Sequence, residues 1–326
     1  MELSVVVPAY NASESIGSTL NAVLDVKGVD LEVIVVDDGS TDELSVVIEP
    51  FIRDDRVSLI RQRNSGGPAS PRNRGVAVSS GEYILFLDAD DLVISGEIEA
   101  VLLALSRNAE AVMICSNFHV ADQDLGIRIE RNIDRYETFQ ALLTEPAAPN
   151  TWQLFSEDAL ATLLKTNFVG TSSVIARRSA LEAAGPFDES LRNLDDRDMW
   201  IRLAQLGPIL YRDKPFYLYR DTPGSVSKQR ELQQFRERVV VAEKVLRSSK
   251  SSRIRSLAKA WRSRSLLKIG YILFHDEARR SEALDAFARS FVSKPSSAAL
   301  RGVLKSLLPG SVYRSVRGWL NSNDKR

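Results

Sequence analysis

Tyr83-Ile84-Leu85-Phe86-Leu87-Asp88-Ala89-Asp90-Asp91 carries the pattern from which the fold is read. Five apolar residues run without a break into a cluster of carboxylates. Such a run suits a short strand buried on both faces, with a polar turn at its carboxyl end. Three more runs of this kind lie upstream, at residues 3–7, 31–36 and 57–60. Helical patterns separate them. Asn11 is placed to cap the first, with Glu14 completing a capping box and Ile16, Leu20, Val23 and Leu24 forming its apolar stripe. Val46, Val47, Ile48 and Phe51 suit a second helix. A glycine-rich loop, Asn64-Ser65-Gly66-Gly67, leads to a third at residues 72–78. Strands alternating with helices predict right-handed crossovers and a mostly parallel, Rossmann-like α/β sheet flanked by helices. Ligands of such sheets bind beyond the carboxyl ends of the strands. The polar clusters at residues 8–11, 37–40 and 88–91 fall there.

Further along, residues 118–168 are irregular and contain Pro146 and Pro149. Residues 170–176 read as a strand, 195–206 as a helix, and 209–219 as a strand broken by Pro215. From Ser227 onward the pattern is helical, so an α-helical C-terminal region is expected. Gly270, Ala283, Phe287 and Pro295 resemble one tetratricopeptide-type helical hairpin, and a single unit does not make a repeat array. The chain has 326 residues, 44% of them hydrophobic. That length accommodates one large domain and an appendage. The single cysteine, Cys115, lies in an apolar run and reads as a buried thiol, which fits a reducing compartment. His119 and His275 lack a metal-ligand spacing. No secretory signal and no apolar run of roughly 18 residues is present. A cytoplasmic protein, or one peripheral at the inner face of the membrane, is expected.

The acidic strand ends carry the chemistry. Asp88 and Asp90, one residue apart, are hard oxygen ligands that could hold Mn²⁺ or Mg²⁺ together with the phosphates of a substrate. A solvated acidic turn would have the same sequence. Asp37 or Asp38 could accept hydrogen bonds from a base or ribose, while Ser40, Thr41 and Asp42 suit a helix cap. Arg72, in Arg72-Asn73-Arg74-Gly75, could bring a guanidinium to a phosphate or base. Asp195-Asp196-Arg197-Asp198 opens a helix, where carboxylates suit the dipole. One of them could also serve as a general base.

Together these segments resemble the family 2 glycosyltransferases of the bacterial, non-processive type. The resemblance lies in the order Val-Pro-Ala-Tyr-Asn (residues 7–11), Val-Asp-Asp-Gly-Ser-Thr-Asp (36–42), Asn-x-Gly (64–66), Arg-Asn-x-Gly (72–75) and Leu-Asp-Ala-Asp-Asp (87–91). Gly-Pro-Phe-Asp-Glu (185–189), Asp-Asp-x-Asp-x-Trp (195–200) and Tyr219-Arg220 with Ser225 and Ser227 extend it. It implies a GT-A fold over residues 1–228, with a nucleotide-sugar-binding half (1–117) and an acceptor half (118–228), followed by a basic helical region (229–326). It also implies an inverting hexosyl- or N-acetylhexosaminyltransferase that takes a sugar from a nucleotide-sugar, UDP-linked by expectation. The acceptor would be a glycan or a lipid-linked molecule in cell-envelope polysaccharide synthesis. By resemblance, Pro8, Ala9, Tyr10, Asp37, Asp38, Arg72, Asp88, Ala89 and Asp90 bind the donor, with Arg72 on the base side. Asp88 and Asp90 hold the metal and diphosphate. Asp196 is the base, and Asp195 and Trp200 lie on the acceptor side. Asp195 replaces the commoner glutamate, Pro71 an alanine, and Thr222 a histidine that sometimes touches the metal.

Two other classes compete. A non-catalytic assembly subunit could keep the fold, and Thr222 and the long tail would suit it. A sugar-nucleotide pyrophosphorylase needs a glycine- and arginine-rich phosphate loop by the first strand, which this chain lacks.

The neutral total charge conceals an asymmetry. Residues 226–326 hold 23 Lys/Arg against 8 Asp/Glu, so the tail is strongly basic and the front equally acidic. Lys244, Arg247, Lys250, Arg253, Arg255, Lys259, Arg262, Arg264 and Lys268 crowd one helical stretch. Val241, Leu246, Ile254, Leu257, Trp261 and Leu266 would form its apolar face. An anionic membrane surface is the partner that such a face would meet. Packing against the acidic front is the alternative. No nucleic-acid motif is present.

Overall fold

The computed structural model describes residues 2–221 and 231–308. Two units divide the chain, Met1–Ser227 and Lys228–Arg326. The first begins β1 (Glu2–Ala9), α1 (Ile16–Leu24), β2 (Asp30–Asp37), α2 (Leu44–Ile48), β3 (Val57–Arg61), α3 (Ala69–Val78), β4 (Tyr83–Phe86), β5 (Leu92–Val93), α4 (Ser95–Ser106) and β6 (Met113–Ser116). It continues β7 (His119–Ala121), β8 (Ile127–Ile129), α5 (Glu137–Gln140), β9 (Thr151–Leu154), α6 (Ser156–Leu163), β10 (Ile175–Arg177), α7 (Arg178–Ala184), α8 (Asp195–Leu206), β11 (Ile209–Arg212) and β12 (Tyr217–Arg220).

An eight-stranded sheet has the order β3-β2-β1-β4-β10-β6-β11-β9. Strands β3, β2, β1 and β4 are parallel, and β10 enters antiparallel beside β4. A smaller sheet, β5-β12-β7-β8, lies in the same unit. The apolar runs are buried on both faces of the large sheet. Leu3, Val5 and Val7 join Ile16, Leu20 and Val23 of α1 and Val101, Leu102 and Leu105 of α4 in one cluster. Burying each such side chain stabilises the fold by about 1.5–3 kcal/mol. On the opposite face, a Cβ at Gly75 would lie 2.3 Å from Val6 Cγ1, so glycine lets α3 rest directly on β1. Phe86 there packs against Phe187, and its ring lies 5.8 Å from that of Trp200 in α8. Cys115 is buried, and burial pushes its thiol up.

Three local expectations change, and the break expected at Pro215 is found. Asn11 does not cap α1, which starts at Ile16. It adopts a positive φ of 48°, and its Oδ1 accepts from Thr41 N (2.8 Å), so it ties β1 to the loop after β2. The second helix is cut short by Pro50 and resumes only as a 3-10 turn, Phe51–Arg53. Residues 170–176 are not one strand. Ser173 N and Oγ both bond Gly170 O (2.9 and 2.6 Å), curling Thr171–Ser173 into a 3-10 turn before β10. The interval around Pro215 separates β11, in the large sheet, from β12, in the small one.

The second unit contains α9 (Glu231–Ser248), α10 (Ser252–Phe274), α11 (Arg280–Ser293) and α12 (Ser297–Leu307). Ser251 and Ser296 cap α10 and α12, accepting from Ile254 N (3.3 Å) and Ala299 N (3.2 Å). Phe287 fills the centre. A Cβ at Gly270 or Gly302 would come within 2.6 or 2.4 Å of its ring, so both helices close directly on the aromatic face. Of the apolar face expected to meet lipid, Val241, Ile254, Trp261 and Leu266 are buried, and Leu266 joins the cluster around Phe287. Leu246 and Leu257 are half-buried. Most of that face is therefore withdrawn from solvent. Among the described residues, no helix is long and apolar enough to cross a membrane.

Candidate active site

The ends of β1, β2 and β4 lie side by side, because Ala9 pairs with Asp37 and Leu87 N bonds Val6 O (3.0 Å). The Asp88–Asp91 turn sits at this edge and is fixed from several elements. Ser15 Oγ and Thr19 Oγ1 of the α1 region each donate to Ala89 O at 3.0 Å. Ser172 Oγ accepts from Asp88 N (3.0 Å) and donates to Asp91 Oδ2 (2.5 Å). Arg220 N, at the end of β12, donates to Asp91 Oδ1 (3.1 Å). Asp91 is thus the buried post of the turn, with its carboxyl raised by burial and by the charges of Asp88 and Asp90. Asp88 and Asp90 remain half-buried, not enclosed. Burial, and then the Asp88 charge, push the Asp90 carboxyl up to about 6.

Arg72 joins this turn to α8. Its guanidinium is buried, with Nη1 2.7 Å from Asp195 Oδ2 and Nη2 2.9 Å from Asp88 Oδ1. Burial opposes its charge, and the carboxylates of Asp195, Asp88 and Asp196 more than restore it. Arg72, expected beside the base, instead spans two carboxylates that lie 107 residues apart in sequence. Asp195 is buried and pushed up to about 6, by burial against the pull of Arg72. Asp196 is half-buried, and its Oδ2 accepts from Thr171 Oγ1 (3.1 Å) while its Oδ1 accepts from Arg197 N (2.6 Å). Burial raises its carboxyl, and Arg72 and these two donors restrain the rise.

The remaining expected donor contacts divide. Tyr10 is 52% exposed and offers a free aromatic face beyond β1, with Pro8 half-buried and Ala9 buried behind it. Asp37 and Asp38 are buried. Asp37 accepts from Ser40 N (2.8 Å) and pairs with Arg61 Nε (3.3 Å). Asp38 accepts from Gln62 Nε2 (2.7 Å) and from Ser65 N and Oγ (3.0 and 2.8 Å), anchoring the glycine-rich loop. Trp200 is 0% exposed, packed beside Phe86 and Phe187, and supports α8 from within the core without reaching an acceptor.

The sequence reading missed Thr171, Ser172 and Asp91, as well as the clasp made by Asn73. Its amide exchanges two hydrogen bonds with the backbone of Phe187 (2.7 and 3.0 Å), locking residues 185–189 onto α3. Its place beside Arg72 was the available signal. Thr222, Ser225 and Ser227 lie outside the described residues.

Among the described residues, no group of three or more His, Cys, Asp or Glu side chains could hold a metal ion. The two-carboxylate set of Asp88 and Asp90 still fits a hard divalent cation, because Mg²⁺-like ions keep water and phosphate oxygens as their other ligands.

Residues 4–183 match the family model described as glycosyl transferase family 2. The chain belongs to that family. It is 34% identical over 125 residues to the glycosyltransferase GlyG of Streptococcus pneumoniae serotype 4, covering 38% of this chain and 41% of that one. It is 30% identical over 223 residues to a chondroitin synthase of Escherichia coli, covering 66% of this chain and 28% of that one. The chain therefore spans less than half the length of either relative. Among solved structures, S. aureus TarS 1-349 in complex with UDP-GlcNAc matches with a TM-score of 0.69 at 18% identity, over 99% of this chain and 92% of that one. A mannosyltransferase from Pyrobaculum calidifontis in complex with GDP-Man and Mn²⁺ matches with a TM-score of 0.59 at 19% identity, over 96% and 82%. Both likenesses show the shared fold.

Proposed function

We propose that this chain is a metal-dependent, inverting glycosyltransferase that moves a sugar from a nucleotide-sugar to a hydroxyl of a glycan or lipid-linked acceptor. The observation that carries it is the Asp88–Arg72–Asp195 bridge. It sets a strand-end carboxylate pair beside the first turn of α8, where Asp196 keeps a half-buried carboxylate. Residues 1–117 would hold the donor and residues 118–228 the acceptor. The UDP-GlcNAc bound by TarS supports a UDP-linked donor.

Tyr10 would stack on the base, and Asp37 and Asp38 would form the pocket wall beside it. Asp88 and Asp90 would hold Mn²⁺ or Mg²⁺, which when bound neutralises charge on the diphosphate. Asp196 accepts the proton of the acceptor hydroxyl at a carboxylate oxygen. The acceptor oxygen bonds to the anomeric carbon as the bond to the diphosphate oxygen breaks, and the electron pair leaves with the nucleoside diphosphate. Attack opposite the leaving group inverts the anomeric centre. Thr171 aims the base, and Arg72 keeps Asp195 ionised beside it.

The test is release of nucleoside diphosphate from UDP-, GDP- and dTDP-sugars with Mn²⁺ or Mg²⁺ and candidate acceptors. Turnover with one donor class is expected. No turnover with any donor, together with unchanged glycan synthesis in cells carrying Asp196→Asn, would favour the assembly-subunit reading.

A pH dependence follows. Asp196 must be ionised to act, and its carboxyl is raised, so activity falls on the acid side at a higher pH than an ordinary aspartate would give. The Thr171 hydroxyl lowers that limit. Thr171→Val should move the acid limb of the kcat/KM profile upward and reduce the rate at mildly acidic pH roughly fivefold, the equivalent of one hydrogen bond of about 1 kcal/mol.

A further inference from the structure

Helix α12 has three sectors. Ala299 and Gly302 are buried, and Val303 packs into the cluster around Phe287. Leu300, Leu304 and Leu307 follow at i, i+4 and i+7, and so share one side. They are 46%, 56% and 63% exposed. Arg301 and Lys305 are exposed and run along one flank of this stripe. A water-facing helix ordinarily turns its leucines inward. Here the inward sector is built of small residues, and the leucines face out.

We infer that this leucine face of α12 is a docking surface for an anionic lipid bilayer. The charge of the region selects the occupant. Residues 226–326 carry 23 basic and 8 acidic residues, and Arg247 of α9, Lys250 between the helices, and Lys259 and Lys268 of α10 are exposed with the two on α12. A second copy docked through the same face would set this excess against itself. A polyanion such as nucleic acid would meet the charge and leave the leucines in water. An anionic bilayer satisfies both, with the apolar stripe entering the headgroup boundary and the cationic flank meeting lipid phosphates. The surface differs from the α9–α10 face expected from sequence, whose apolar residues are largely used in packing. The inference goes beyond the transferase reading and needs no nucleotide.

The test is flotation of the full chain with vesicles of phosphatidylglycerol and phosphatidylcholine, and with vesicles of phosphatidylcholine alone. Binding to the anionic vesicles is expected, weakened by added salt, with little binding to the neutral ones. Leu300→Gln/Leu304→Gln/Leu307→Gln should reduce binding roughly tenfold or more with an unchanged unfolding temperature. Arg301→Glu/Lys305→Glu should weaken binding to the anionic vesicles and make what remains less sensitive to salt. Three outcomes would overturn the inference. They are no binding to anionic vesicles, equal binding by the triple leucine variant, and a dimer in sedimentation velocity that the leucine variant converts to monomer.

Discussion

Asp196→Asn should lower kcat roughly 100- to 10,000-fold while leaving donor affinity unchanged, the range expected when a positioned general base is removed. The substitution keeps the shape of the side chain. An amide oxygen can still accept from Thr171 Oγ1 and Arg197 N, the two donors that orient the carboxylate. What is lost is the capacity to take a proton. The donor-side Asp88–Asp90 turn is held by hydrogen bonds from Ser15, Thr19 and Ser172, none of which includes Asp196. Steady-state kinetics beside donor titration separate the two effects. A fall in donor affinity with kcat unchanged would place Asp196 in binding and not in proton transfer.

Arg72→Met should have the largest effect on stability, about 3–5 kcal/mol, because removing one member of a buried ion pair leaves its partners uncompensated. Asp195 and Asp88 would then face each other's charge with nothing between them. Sign and pH dependence are linked. Asp195 is already raised to about 6 in the folded chain, above the ordinary carboxylate value, so the folded form binds its proton more readily than the unfolded form. Without Arg72 the Asp195 carboxyl rises further. The deficit should therefore shrink as pH falls from 7 toward 5, read by urea unfolding at both values. Arg72→Met/Asp195→Asn should be more stable than Arg72→Met alone. Additive losses would contradict the bridge.

How much of this was legible in the sequence depended on sequence distance. The four parallel strands and α8 were readable because each is a local pattern, a short apolar run or a helical period. The strand-end carboxylates were readable because an α/β sheet puts its ligands at one edge. Arg72, Asp88 and Asp195 could each be singled out, but not the bridge that joins them, since a contact over 123 residues leaves no local trace. Trp200 illustrates the same limit. An indole on the first turns of an acidic helix suits an acceptor contact or a core contact equally, and only the positions of Phe86 and Phe187 decide. The segment at 170–176 misled because its hydroxyls bond their own backbone. In the tail, the apolar periodicity was real, but periodicity does not say whether helix or lipid covers the face.

In the proposed function, one site binds a nucleotide-sugar through Asp88 and Asp90 and acts on it through Asp196. Equilibrium binding of a UDP-sugar to the wild type, Asp90→Ala and Asp196→Asn, each with and without Mn²⁺, tests it most directly. The wild type and Asp196→Asn should bind alike and need the metal, and Asp90→Ala should lose the metal-dependent part. Binding by Asp90→Ala equal to that of the wild type, or no nucleotide-sugar bound by any of the three, would contradict it.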